Sequence, residues 1–93
     1  MGGLAPATAE SLLGQLSREA CQLRSRAGQV LGDLGRCNSP ALAQRLQREF
    51  QSLDARRDDL RRLCQQLRRE RAWRDSLSLE LVEELCRRPL PAA

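Results

Sequence analysis

Residues 13–34 read LGQLSREACQLRSRAGQVLGDL, and within them Leu13, Leu16, Ala20, Leu23, Ala27, Val30 and Leu34 follow one another at alternating steps of three and four. That spacing keeps every apolar side chain on one stripe of a helix, over about three heptads of a coiled-coil seam. A strand would need alternation at every second residue, which the stretch lacks. Thr8 is placed to cap the helix and Gly35 to end it, so the pattern predicts a helix over residues 9–34. Gly28 and Gly32, four residues apart, could mark a close helix approach, but composition bias in the chain accounts for them more readily.

Composition agrees with a helical reading. Leucine occupies 18 positions, Phe50 and Trp73 are the only aromatics, and Ile and Tyr are absent. Leu and Ala build helical cores, whereas sheets draw on β-branched and aromatic residues. Ninety-three residues allow one small domain with a thin margin of buried surface. There is no Lys and no His, so all 16 positive side chains are Arg, matched against 12 acids. The Arg, Ala, Gly, Leu and Pro richness is also what a GC-rich gene would encode.

The missing His and Lys remove the usual general base and Schiff-base amine, and no imidazole is present to activate a cysteine. An enzyme is not expected, nor a cofactor, nor a small-molecule substrate. Cys21, Cys37, Cys64 and Cys86 contain no C-x-x-C pair and have no His to complete a zinc site. MGGLAPATAE has neither a basic start nor a continuous apolar run, so the cysteines are read as reduced thiols in cytoplasm or nucleus. No apolar run is long enough to span a membrane. Pro6 stands where a myristoylation motif wants Ser or Thr.

The segment GRCNSPAL, residues 35–42, combines a turn with a restart: Ser39 caps, and Pro40 sits where its missing N–H is no loss. A second helix follows over 40–74, with an apolar stripe at Leu42, Leu46, Phe50, Leu53, Leu60, Leu63, Cys64 and Leu67. The loop of residues 35–39 is short, which predicts an antiparallel αα-hairpin. The first helix, roughly 40 Å long, covers the second only as far as about residue 67. The stripe's next positions are indeed Arg71 and Arg74. Residues 77–88 resume a helical pattern with Leu77, Leu81, Val82 and Leu85 on one side. Asp75, Ser76 and Ser78 can break the chain before it, or the second helix can run on to 88. Residues 1–7 and 89–93 are expected to be unstructured.

The resulting expectation is an all-α domain whose Leu-rich seam is completed by oligomerisation or by partner helices. Partner contacts are expected along Leu13, Leu16, Leu23, Val30, Leu34, Leu46, Phe50, Leu53, Leu60 and Leu67. A second contact surface is expected at Arg71, Trp73, Arg74, Leu77, Leu81 and Leu85. Trp73 projects away from the stripe, so a straight helix exposes it as an interface anchor, whereas a break near residue 75 buries it. The function that fits is a non-catalytic scaffold subunit of an intracellular multiprotein complex.

The alternative is a basic adaptor holding nucleic acid or another acidic polymer through residues 56–74, RRDDLRRLCQQLRRERAWR. Residues 40–74 carry 10 Arg against 5 acids, while residues 75–93 carry 2 against 4. Interleaved Asp58, Asp59 and Glu70, and the shortage of stacking aromatics, make this the weaker reading.

Overall fold

The computed structural model describes the backbone of residues 6–91 and the side chains of residues 12–91. Of the two expected unstructured ends, residues 1–5 and 92–93 lie outside the described residues. The described chain is all-helical: α1 (Pro6–Arg36), α2 (Pro40–Arg69), a 3₁₀ turn (Arg71–Trp73) and α3 (Leu77–Arg87), with no strand among these residues. All three helices pack against one another.

Local chemistry explains each boundary. α1 begins at Pro6, ahead of Thr8, and runs through Gly35 to Arg36. Gly35 does not end the helix in a left-handed conformation, since no described glycine has positive φ. The Cys37 N–H instead donates to the Leu34 carbonyl at 3.3 Å, tightening the last turn. Ser39 is extended and its hydroxyl accepts from the Leu42 N–H at 3.4 Å, with Pro40 as the first helical residue.

α2 ends earlier than the expected residue 74. Glu70 adopts φ −81° and ψ 134°, the 3₁₀ turn follows, and Ser76 caps α3 by accepting from the Leu79 N–H at 3.1 Å. The cause lies in what each route buries. Past Leu67 a straight helix would carry only Arg71 and Arg74 on the seam, whereas folding back buries Leu79, Val82, Cys86 and Leu90. Leu90 lies in the segment expected as a tail, yet its side chain belongs to the core.

That core comprises Leu13, Leu16, Ala20, Leu23 and Ala27 of α1, Leu60 and Cys64 of α2, and Leu79, Val82, Cys86 and Leu90 from α3 and its tail. Phe50, Leu53, Leu63, Leu67, Trp73 and Leu85 pack around it, partly buried. The molecule is a rod of 56 × 22 × 15 Å. α3 is about 16 Å long against roughly 46 Å for α1, so it covers only part of the other two helices. One end of the rod therefore has three helices and the other two. In the two-helix end Val30 and Leu46 are buried, while Leu42 remains 46% exposed.

The close approach suggested by Gly28 and Gly32 is not found. A Cβ at Gly28 would meet nothing within 4 Å, and one at Gly32 only the Arg36 guanidinium. No helix among the described residues is long and apolar enough to cross a membrane.

Candidate interaction surface

α3 presents two faces of different fate. Its inner face, Leu79, Val82 and Cys86, is buried. Its outer face carries Leu77, 76% exposed, and Leu81, 67% exposed, one helical turn apart. These two leucines line an open groove with Arg68, Glu80, Glu83, Glu84 and Arg87. Leu85, one further turn along, is half-buried against the core. The expected α3 face of Leu77, Leu81, Val82 and Leu85 is thus divided: Val82 turns inward and Leu77 and Leu81 turn outward. Both 77/81/85 and 79/82/86 are valid helical stripes, and packing against α1 and α2 selects the inner one.

The surface is held rigidly from behind. The Arg24 guanidinium donates to the carbonyls of Leu85 (3.1 Å), Arg88 (2.6 Å) and Pro89 (3.0 Å), and Arg57 donates to the Cys86 carbonyl at 2.6 Å. A helix end leaves its last carbonyls without intrahelical partners and carries partial negative charge. Two arginines, one from α1 and one from α2, satisfy both needs at the end of α3. Arg68 adds an ion pair to Glu83 at 2.8 Å across the front of the groove, with its own pKa raised chiefly by that hydrogen bond. Nothing in the local sequence around Arg24 marks this role, because its acceptors lie more than sixty residues away.

Most of the arginine-rich stretch is engaged in similar pairs. Arg56 binds Glu19 at 2.5 and 2.9 Å, Arg57 binds Asp54 at 3.0 Å, and Asp58 receives both Arg61 (2.9 Å) and Arg62 (3.0 Å). The hydrogen bond from Arg56 draws Glu19 below the usual carboxylate range, against burial, which acts in the opposite direction. Arg61 does the same to Asp58, and Arg26, bonded to Glu49 at 2.6 and 2.8 Å, does it to Glu49. Within 56–74 the arginines that form no ion pair among the described residues are Arg69, Arg71 and Arg74, gathered where α2 turns toward α3.

The expected seam residues are placed mainly inside the chain. Leu13, Leu16, Leu23, Val30, Leu46 and Leu60 are buried by the chain's own helices, and Leu34, Phe50, Leu53 and Leu67 are part-exposed. At one end of the rod the third helix closes the open side of the two-helix seam, while Val30 and Leu46 are buried where α1 and α2 pack without it. Trp73 is half-buried against the core and not projecting into water, as follows from the break at Glu70. Arg71 and Arg74 are exposed. The second surface is therefore split, with Leu77 and Leu81 outward, Trp73 and Leu85 packed inward.

Among the described residues no group of three or more His, Cys, Asp or Glu is placed to hold a metal ion. Comparison with protein-family models, with curated proteins and with solved structures finds no significant match.

Proposed function

We propose that the chain is a non-catalytic helical interaction subunit of an intracellular, cytoplasmic or nuclear, multiprotein complex. Its α1 and α2 form an antiparallel hairpin of coiled-coil character. The order of the ion pairs supports this: Glu19 lies seven residues before Arg26 on α1, while its partner Arg56 lies seven after Glu49 on α2. The observation that carries the interaction reading is the pair Leu77 and Leu81, held in water on a helix anchored from behind. Exposed leucines adjoining a charged rim are the composition of a protein contact surface. Partner helices are the natural occupants, with Leu34 and Leu42 also available at the two-helix end.

The test is co-purification of the tagged full chain from cells, followed by mass measurement of the intact complex. Leu77→Asp with Leu81→Asp should keep the helical circular-dichroism signal and melting temperature of the parent but lose the partner. A doubly substituted chain that retains its complex with unchanged stoichiometry would exclude α3 as the contact.

A second reading, the nucleic-acid or acidic-polymer adaptor, draws on the unpaired cluster Arg69, Arg71 and Arg74. It predicts affinity that falls steeply with salt, because each neutralised phosphate releases counterions. Reversing Arg69, Arg71 and Arg74 tests it cleanly, since Arg61, Arg62 and Arg68 also hold Asp58 and Glu83.

A further inference from the structure

Two of the four cysteines are unlike the others. Cys21 is exposed and Cys37 partly so, its thiol donating to the Ser39 carbonyl at 3.2 Å, whereas Cys64 and Cys86 are almost wholly buried in the core. These two lie on different helices that pack together. The Arg68–Glu83 ion pair sets the register of α2 against α3. One turn back along α2 from Arg68 is Cys64, and nearly one turn forward along α3 from Glu83 is Cys86. Register and burial thus bring the two thiols to the same level of the α2–α3 interface, inside one core cluster. Arg57, bonded to the Cys86 carbonyl, holds the C-terminal end of α3 at the same interface.

We propose that Cys64 and Cys86 are a site of covalent oxidation, closing under a peroxide to an intramolecular disulfide that ties α3 to α2. Two buried thiols of one core cluster, on helices that pack together, are presented for this reaction, whereas Cys21 and Cys37 lie outside that cluster. Cys86 is the attacking group, because the guanidiniums of Arg57, bonded to the Cys86 carbonyl at 2.6 Å, and of Arg24, bonded to the adjacent Leu85 carbonyl at 3.1 Å, bring positive charge to its side of the pair.

The chemistry balances in two steps. Cys86 sulfur attacks one oxygen of hydrogen peroxide, the O–O bond breaks, and the departing oxygen leaves as water, giving a sulfenic acid on Cys86. Cys64 sulfur then attacks the Cys86 sulfur, the S–O bond breaks, and a second water leaves with the Cys64 proton. The two thiols lose two electrons in total and the peroxide gains them. Peroxide is small enough to enter when α3 opens transiently, and a closed bond prevents that opening. The state of the pair thereby governs how firmly Leu77 and Leu81 are held on the surface, whatever they bind.

The experiment uses the full chain carrying Cys21→Ser and Cys37→Ser, so that only the buried thiols can react. After treatment with hydrogen peroxide under native conditions, the intact mass should fall by two hydrogens. A non-reducing digest should yield one linked peptide pair joining Cys64 to Cys86. The melting temperature should rise by on the order of 10 °C, and dithiothreitol should reverse all three changes. The same linked pair should appear in peptide maps of the oxidised unsubstituted chain. Overturning results are a mass increased by added oxygen, or Cys64 and Cys86 still free in folded protein after the peroxide has reacted with Cys21 in the unsubstituted chain.

Discussion

Leu77 and Leu79 are two residues apart on the same short helix, yet one is mostly in water and the other has no accessible surface. Leu79→Ala should destabilise the chain by about 2–5 kcal/mol, since it removes buried methyl groups and leaves a cavity. Leu77→Ala should stay within about 0.5 kcal/mol of the parent. Chemical denaturation of both variants checks the pair; equal losses would mean that α3 is rotated from the orientation described here. The inner stripe was hidden in the sequence for a residue-level reason. Cys86 and Leu90 are half of it, and neither signals a core position as clearly as Leu81 and Leu85, which offer a competing stripe at the same spacing.

Among the helices, α1 and α2 are joined on their flanks by Arg26–Glu49 and Arg56–Glu19. Both carboxylates have pKa values below their ordinary 4.5, in each case mainly through the arginine hydrogen bond. A carboxylate depressed in the folded state adds stability above its unfolded pKa and loses that stability as pH falls through the folded value. The melting temperature should therefore decline as pH drops below 4.5, and Glu19→Gln should flatten part of the decline. Added salt should lower the contribution at neutral pH, because these pairs are substantially exposed. Thermal melts against pH and salt measure both; a decline unchanged by Glu19→Gln would remove the Glu19–Arg56 pair from the account.

Over the whole rod, burial is uneven. The end with three helices contains the continuous core, while the other end relies on two helices and the contact around Val30 and Leu46. Local opening requires less free energy where fewer apolar contacts must separate. Amides of residues 30–36 and 42–48 should accordingly exchange faster than those of residues 16–24 and 57–66. Hydrogen exchange followed by mass spectrometry reads this directly, and uniform protection along α1 and α2 would contradict it. A partner docked on the two-helix end should slow exchange there selectively.

The all-helical character and most of the α1 and α2 core were legible in the sequence, because a seam such as Leu13 to Leu34 is encoded by spacing along one helix and needs no knowledge of its neighbour. The turn at Ser39–Pro40 was legible for the same reason, its capping chemistry being confined to adjacent residues. Tertiary structure decided the rest. The break at Glu70, the inward face of α3, the burial of Leu90 and half-burial of Trp73, the arginine caps from Arg24 and Arg57, and the shared core of Cys64 and Cys86 all depend on how α3 folds back across the other helices. Each is a contact between residues distant in the chain, fixed by the burial it achieves, and spacing along a single helix carries no record of it.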